Sequence, residues 1–479
     1  MKKKLLLNPH TPFWLIAISI LIILTVPTLI KDGMFMDGML YTSVAHNLGN
    51  GIGTFWFPQF SLHNLAGLNA FHEQPPLVFG IQAVFFKLFG DSLYVERLYT
   101  FIAMGATALL IHLLWKEIYS NNESYKKMGW LPIILWITIP VCFWSYSNNM
   151  HENTMTIFTL TAAILIYKSF RIASSPIKFW ILSGIFIFMA TLSKGLPGFF
   201  PIIIPFLYWL TTKRISFSKI ILPTLIITFV PLIIYTILFL IPESKESLST
   251  YLFKRVLHRI NEVPTVSNRF YILLRLFMEL LPQFAVVIIF LSIAKVKKIQ
   301  ANLSQQWQEA ILFTTTGIAS SLPLMLTLVQ KGFYFVPSLP FFAIGLSILI
   351  TPVIAALIER IETQSKNYKI LLILSAFLFL STSTFALLQK GKVSRNKELL
   401  NDVYKIGSIV PKFATVSIPA EIWGQWDLQC YLIRYYTISL DVNYKNTYCI
   451  IYKNSNTDSL KNFKKINIQT LEYDLYKKK

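Results

Sequence analysis

Residues 12–30 read PFWLIAISILIILTVPTLI, a run without a charged side chain. A bilayer core about 30 Å thick needs about 20 apolar residues in a helix, because lipid offers backbone amides no hydrogen-bond partners. The run therefore predicts a membrane-spanning helix. It follows Lys2, Lys3 and Lys4, and no small-residue cleavage site comes after it. We expect a retained anchor rather than a removed signal peptide.

Further apolar stretches follow this one along the chain, and together they predict an all-α polytopic membrane protein with about eleven transmembrane helices. The fourth, fifth and sixth are short, and the break at 193–198 is either a tight external turn or a re-entrant hairpin. The ten stretches after the first are 96–115, 130–147, 154–167, 179–193, 196–211, 220–241, 271–294, 309–329, 333–358 and 369–388.

The composition agrees with a membrane protein. Of 479 residues, 54% are hydrophobic and 14% charged, whereas soluble proteins have about 25% charged residues. These values exclude a disordered chain, a coiled coil and an ordinary soluble enzyme. The net charge of +21 would suit nucleic acid, but the lysines and arginines lie in short loops between apolar stretches, which is typical of polytopic membrane proteins.

The distribution of lysine and arginine predicts the orientation. With the N-terminus inside, each of the six inside segments carries three of these cations, and cytoplasmic loops are the ones enriched in them. An odd number of spans then places the tail outside. We therefore expect a bacterial inner membrane protein with cytoplasmic N-terminus, and with the loops 31–95 and 242–270 and the tail on the periplasmic face.

Two domains are expected, a transmembrane catalytic module at 1–388 and a small periplasmic α/β domain at 389–479. The tail contains Cys430 and Cys449, which could pair on an oxidising face or remain two buried thiols. The tail's patterns are helix-like at 396–409 and around 423–435, and strand-like at 413–418 and 447–453.

Acids on the external side are candidates for chemistry. Asp37 follows the first span and precedes an amphipathic stretch, 39–48, that could lie on the membrane surface. A carboxylate at the lipid boundary can bind a proton more tightly and act as a base. The alternative is a helix cap or a solvated loop acid. Glu152 begins the fourth span, where the helix dipole alone would favour an acid.

A proline-stiffened segment, FHEQPPL at 71–77, adds a possible metal site. His72 and Glu73, together with His258 of the second loop, are the candidate ligands of a divalent metal ion. A rigid loop that leads into an interfacial helix explains the same residues equally well.

Cations are sparse on the external side, so those at span ends are candidate ligands for phosphate. Snorkelling of their side chains to lipid headgroups is the alternative. An aromatic residue, Tyr334, begins a late span and could belong to an aromatic belt. The cations are Lys194, Lys254, Arg255, Arg259 and Lys331.

The order of these motifs resembles the GT-C membrane glycosyltransferases, in particular the branch of protein O-mannosyltransferases and lipid A aminoarabinose transferases. An acid follows the first span with a tyrosine four residues later, Asp37 and Tyr41. The first loop ends in EQPPL at 73–77, close to the family's Glu-Lys-Pro-Pro-Leu. Lys194-Gly195 separates two spans, and a Lys331…Tyr334 pattern opens another.

The resemblance implies a donor sugar on a polyprenyl phosphate and a lipid, glycan or protein acceptor reached from outside. It implies that Asp37 activates the acceptor hydroxyl. Together with the external cations and the EQPPL segment described above, it gives these candidate positions for substrate binding: Tyr41, Glu73, Gln74, Glu152, Lys194, Lys254, Arg255, Arg259, Lys331 and Tyr334.

The chain departs from the family at two positions. Gly38 stands where a second acid often follows the catalytic one, and Gln74 stands where the aminoarabinose transferases have a lysine that binds the donor phosphate. Either another cation then neutralises that phosphate, or the donor is held differently. The competing hypotheses are a transporter or lipid flippase, for which repeated halves and polar residues deep in the spans would be expected, and a non-catalytic scaffold.

Overall fold

The computed structural model describes residues 8–63, 70–172, 176–258, 264–299, 304–456 and 460–479, and it is mainly helical. The α-helices are α1 Thr11–Leu29, α2 Met36–Gly49, α3 Leu77–Phe89, α4 Val95–Ile118, α5 Glu123–Lys126, α6 Trp130–Ile137, α7 Pro140–Tyr146, α8 His151–Ser169, α9 Ile177–Lys194, α10 Ile204–Thr212, α11 Ser218–Phe239, α12 Pro242–Ser249, α13 Tyr271–Val296, α14 Ser304–Ser321, α15 Leu339–Ile358, α16 Lys366–Leu387, α17 Lys397–Gly407 and α18 Trp426–Tyr436. Short 3₁₀ helices lie at Leu196–Ile203, Leu322–Leu326, Gly332–Ser338 and Ala420–Ile422, and a π-helix lies at Thr250–Val256.

Eight helices within the described residues are long and apolar enough to cross a membrane, so the expected count of about eleven is corrected. The chain is a multi-pass membrane protein with this smaller set of long spans. They are Thr11–Leu29, Val95–Ile118, Ile177–Lys194, Ser218–Phe239, Tyr271–Val296, Gln306–Leu326, Gly332–Ile358 and Lys366–Leu387.

The three remaining stretches are helical but differ from the long spans. Stretch 130–147 breaks at Ile139, which is extended because Pro140 follows it. The helix α8 has a polar first half that begins His-Glu-Asn-Thr. Stretch 196–211 combines a 3₁₀ turn with the short α10, whose start carries Pro205.

The bundle has a buried centre and a lipid-facing rim. The span Gly332–Ile358 is 83% buried, whereas Ser218–Phe239 is 22% and Lys366–Leu387 is 17% buried. Apolar side chains at a bundle's rim are expected where lipid is the solvent, since lipid tails are as apolar as leucine. The central span therefore packs against protein on nearly all sides.

The segment between the first two long spans is itself folded. Two of its segments form α2 and α3, which pack on each other. The expectation that 39–48 lies on the membrane surface is wrong, because α2 buries Met39 and most of the positions from Tyr41 to Asn47 inside the protein. The helix fills the space between α3 and α18 of the tail.

The tail forms a five-stranded sheet with two helices, as the α/β expectation requires. The strands are β1 Thr415–Ser417, β2 Ser439–Asp441, β3 Tyr448–Tyr452, β4 Phe463–Lys465 and β5 Tyr473–Lys478. Their order in the sheet is β2-β1-β3-β5-β4, with β1 parallel to β2 and β3, and with β5 antiparallel to β3 and β4.

All three cysteines, Cys142, Cys430 and Cys449, are free and buried, so the buried-thiol alternative describes this structure.

Candidate active site

Asp37 lies half-buried in the first turn of α2. The next residue explains one departure from the family pattern. A Cβ on Gly38 would lie 1.9 Å from the carbonyl oxygen of Asn148, so no side chain fits there without moving the backbone. The turn before α8 therefore packs directly on the helix that carries Asp37, and a second acid at position 38 is sterically excluded.

One turn further along α2, Tyr41 is the centre of a buried polar group. Its hydroxyl accepts hydrogen bonds from Gln74 Nε2 at 3.2 Å and from Lys194 Nζ at 3.3 Å. The Lys194 ammonium also lies 4.9 Å from the centre of the Tyr41 ring, within the range of a cation–π contact. Residues from three separate parts of the chain thus meet at one phenol.

Lys194 also forms an ion pair with Glu152, at 3.2 Å between Nζ and Oε1. Lys194 ends α9 and Glu152 begins α8, and the two helices pack on each other. Both side chains are buried. The negative charge of Asp37 also acts on Glu152. The Lys194 ammonium group therefore lies in a region of negative charge at this end of the bundle.

The chain turns tightly directly after Lys194. Gly195 has a φ of +87°, and a Cβ there would lie 2.1 Å from the Tyr251 hydroxyl. A residue with a side chain is therefore excluded by both conformation and space. Gly198 then packs on the backbone of Ala190 and Thr191, which closes the chain back against α9. Of the two expected alternatives for this break, the tight turn describes the structure.

An open cavity of about 1170 Å³, including the space at its mouth, begins at this polar group. Its polar lining comes from the end of the first loop, from α8 and α9, and from the second loop. A mainly apolar part of the lining is supplied by the segment before the central span. The lining residues are Glu73, Gln74, Glu152, Met155, Lys194, Leu196, Pro197, Tyr251, Arg255, Val256, Leu257, Pro323, Leu324, Leu326, Thr327, Val329 and Tyr334.

Glu73 and Arg255 form an ion pair across the cavity wall, and both are partly exposed. Next to Glu73, the buried His72 forms a hydrogen bond of 3.3 Å between its Nδ1 and Ser247 Oγ. The pKa of His72 is lowered to about 4, mainly by burial and to a lesser extent by the positive charge of Lys254. The imidazole is therefore neutral at physiological pH.

The expected metal site is not supported. Among the residues that the structure describes, no three histidine, cysteine or carboxylate side chains are placed to hold a metal ion. Glu73 is engaged by Arg255, His72 by Ser247, and His258 is exposed. The donor set proposed from His72, Glu73 and His258 therefore does not fit a divalent ion in this arrangement.

The remaining predicted residues divide by position. Tyr334 lines the cavity. Lys254 and Lys331 are exposed and are not among its lining residues, and neither are Asp37 and Tyr41. Arg259 lies outside the described residues.

Sequence reasoning missed several residues that the fold brings to the site. Tyr251 and the apolar segment 323–329 line the cavity, although no local pattern marks them. His151 is fully buried, and its ring lies 4.2 Å from that of Tyr41 and 4.8 Å from that of Phe79. Only its position beside Glu152 could have drawn attention to it.

Comparison with known proteins identifies the class. Residues 73–239 match the family model described as dolichyl-phosphate-mannose-protein mannosyltransferase. No curated protein sequence matches the chain at a significant level.

Solved structures resemble the chain over nearly all of its length. The structure of ArnT from Cupriavidus metallidurans bound to undecaprenyl phosphate is 12% identical with a TM-score of 0.65, covering 96% of this chain and 97% of that chain. Its apo form is 12% identical with a TM-score of 0.64 and covers 96% of each chain. The oligosaccharyltransferase AglB from Archaeoglobus fulgidus, in complex with an inhibitory peptide and a dolichol-phosphate, is 12% identical with a TM-score of 0.47, covering 91% of this chain and 69% of that chain.

The family match and the likeness to ArnT agree with the expected class. The likeness to ArnT shows a GT-C fold with a small C-terminal sheet. The matched segment 73–239 indicates a glycosyltransferase, as the motif order implied.

Proposed function

We propose, from the premise that a chain with this family domain and this fold is a GT-C glycosyltransferase, that the protein transfers a sugar from a polyprenyl-phosphate donor. The acceptor is a lipid such as lipid A, a glycan or a protein. The single observation that carries the proposal is the cavity, whose lining combines charged side chains with a larger set of apolar ones.

The lining suits an amphipathic donor. A polyprenyl chain needs an apolar surface continuous with lipid, and Leu324, Leu326 and Val329 supply one. The sugar phosphate needs cations and hydrogen-bond donors. Lys194 and Arg255 supply positive charges in the same cavity.

Asp37 is the proposed general base. The acceptor hydroxyl oxygen forms a bond to the anomeric carbon while its proton moves to the Asp37 carboxylate. The bond between that carbon and the phosphate oxygen breaks, and the polyprenyl phosphate leaves with the electron pair. A single in-line displacement of this kind inverts the anomeric configuration.

The leaving phosphate is stabilised without a lysine at position 74. Gln74 directs its amide to the Tyr41 hydroxyl, and Lys194 reaches the same hydroxyl from the opposite helix. Lys194 is therefore the proposed substitute for the missing lysine, with Arg255 as a second cation. Each is partly neutralised by a carboxylate, Glu152 or Glu73, so the incoming phosphate competes with an acid for each cation.

We further propose that the site faces the periplasm of a bacterial inner membrane. The support is the distribution of lysine and arginine, since the loops that carry the candidate residues are poor in them. With the N-terminus cytoplasmic, the C-terminal segment is periplasmic when an odd number of helices cross the membrane, so the proposal also requires that the three shorter stretches 130–147, 154–167 and 196–211 cross it besides the eight long spans. Labelling of single cysteines introduced at positions 2 and 445 with a membrane-impermeant maleimide in intact cells tests this: only position 445 should react without permeabilisation.

The test of the activity is a transfer assay with purified full-length protein. Labelled undecaprenyl-phosphate sugars are incubated with cell-envelope lipids, glycans and peptides, and the product is followed by mass spectrometry. Asp37→Asn should lower the transfer rate by about 100-fold or more, as for loss of a general base. Asp441→Asn, on a strand of the tail, is the matched control and should retain the wild-type rate. Wild-type protein that transfers no faster than Asp37→Asn would overturn the assignment, and movement of intact donor across a vesicle membrane would favour a flippase instead.

A further inference from the structure

One contact between the tail and the segment that leads into Asp37 is made by a buried hydroxyl group. Tyr431 Oη accepts a hydrogen bond from the Met34 N–H at 3.1 Å and donates one to the Met34 carbonyl oxygen at 3.2 Å. Both residues are buried. Met34 lies three positions before Asp37, the proposed base. The Tyr431 side chain of α18 therefore binds both the backbone N–H and the carbonyl group of a residue close to that base in the chain.

The start of α2 depends on such remote partners. Its capping residue, Phe35, is extended and its side chain makes no capping hydrogen bond. The Phe35 N–H instead donates to Asn148 Oδ1 at 3.0 Å. A helix start usually has a local side chain that accepts from its free amides. Here the backbone just before Asp37 is held by Tyr431 and Asn148.

The helix that presents Tyr431 is firmly anchored. One turn later, Arg434 is 1% exposed and lies 2.8 Å from the buried carboxylate of Glu96 at the start of α4. The same guanidinium donates to the carbonyl oxygens of Asp91 and Ser92. A buried ion pair with this many additional hydrogen bonds has one well-defined geometry.

A second set of contacts joins α18 to α2 itself. Ser43 Oγ donates to the Cys430 carbonyl oxygen at 3.1 Å. The Tyr435 hydroxyl donates to Asp32 Oδ1 at 2.6 Å, five positions before Asp37. The helix therefore contacts the chain on both sides of Asp37 and cannot shift without moving it.

We infer that Tyr431 is a positioning residue for Asp37, and that the C-terminal segment completes the active site without lining its cavity. The inference rests on the proposed function, in which Asp37 is the base. A base displaced by about 1 Å from the hydroxyl that it deprotonates loses much of its effect. The Tyr431 hydroxyl restricts the backbone next to Asp37, whereas the cations of the cavity belong to other helices.

The experiment compares Tyr431→Phe with Tyr448→Phe, which makes the same change on a strand of the same segment. The full-length proteins are measured in detergent micelles. In Tyr431→Phe, amide hydrogen exchange over residues 34–40 should rise, because two hydrogen bonds to Met34 are lost. Turnover of undecaprenyl-phosphate sugar should fall by about ten-fold with little change in KM, and affinity for undecaprenyl phosphate should stay at the wild-type value. Tyr448→Phe should match the wild type in all three measurements.

Two results would overturn the inference. One is unchanged hydrogen exchange at 34–40 in Tyr431→Phe. The other is faster exchange with unchanged turnover, or with turnover, lipid affinity and melting temperature all falling together, as for a purely structural defect. If the wild-type protein transfers no sugar, the proposed function fails separately, and hydrogen exchange still decides whether Tyr431 holds this turn.

Discussion

The Lys194 ammonium lies 3.2 Å from the Glu152 carboxylate, with 7% of the lysine side chain and 1% of the glutamate side chain exposed. Charges removed from water at this cost are stable only as a pair. The pair joins the end of α9 to the start of α8, and both residues line the cavity.

Removal of one partner should therefore be worse than removal of both. We expect Lys194→Met to lower the free energy of unfolding by about 3 kcal/mol or more, since it leaves Glu152 charged and buried. The double variant with Glu152→Gln should recover part of that loss. Thermal unfolding of the four proteins in one detergent measures this coupling, and additive effects would contradict it.

Gly38→Ala should disturb the site although it adds only a methyl group. Its Cβ would lie 1.9 Å from the Asn148 carbonyl oxygen, so α2 or the turn before α8 must move. We expect a loss of about 1–3 kcal/mol in stability, as for overpacking, together with a fall in transfer rate. Gly105→Ala is the matched control, since no atom lies within 4 Å of the Cβ it would add. Equal effects of the two substitutions in unfolding and transfer assays would argue against the close approach.

Arg434→Met should loosen the tail. The substitution removes a buried cation from Glu96, whose remaining partner is Arg97 at 2.8 Å. We expect a loss of about 3 kcal/mol and faster proteolysis of the C-terminal segment. Lys465→Met breaks the more exposed pair with Asp474 in the same segment and should cost less than about 1 kcal/mol. Similar proteolysis rates for the two variants would show that Arg434 does not anchor the tail.

The stability of this interface should depend on the protonation of His46. The pKa of His46 is lowered to about 4, mainly by burial and to a lesser extent by the positive charge of Arg434. Its Nε2 faces Asp91 at 3.0 Å, and Glu96 acts on it from α4. The unfolded chain binds a proton on this residue below about pH 6.5, whereas the folded protein does so only below about pH 4.

Stability should therefore be lost as the pH falls from about 6.5 to about 4. Between pH 7 and pH 5 this histidine accounts for about 2 kcal/mol. His46→Gln should reduce the loss by that amount in melting experiments at the two pH values. An equal pH dependence in wild type and variant would mean that His46 is protonated alike in both states.

The apolar pattern was sufficient for the class of protein. Runs such as 12–30, 220–241 and 369–388 lie within long helices because a lipid environment allows few other structures. The helix and strand patterns of the tail located four of its elements, since α17, α18, β1 and β3 lie where the sequence predicts them. The count of about eleven spans was wrong because Pro140 interrupts one stretch and polar residues begin α8.

The candidate site was only partly predictable. The order of the motifs marked Glu73, Gln74, Glu152, Lys194, Arg255 and Tyr334, and the fold brings all six to one cavity. Lys254 and Lys331 fit the same reasoning but are exposed, because charge and position at a span end do not reveal the direction of a side chain. The predicted metal ligands remain unsupported, since the adjacent residues His72 and Glu73 have different partners.

What the sequence determined by itself is a membrane-embedded bundle, a folded tail and the residue types available for the chemistry. These follow from local composition, because hydrophobic length and periodicity act over neighbouring residues. Only the tertiary structure decided that Tyr431 would hold Met34 and that Arg434 would meet Glu96. Such contacts join positions more than 300 residues apart in the chain, and they exist only once packing has brought those positions together.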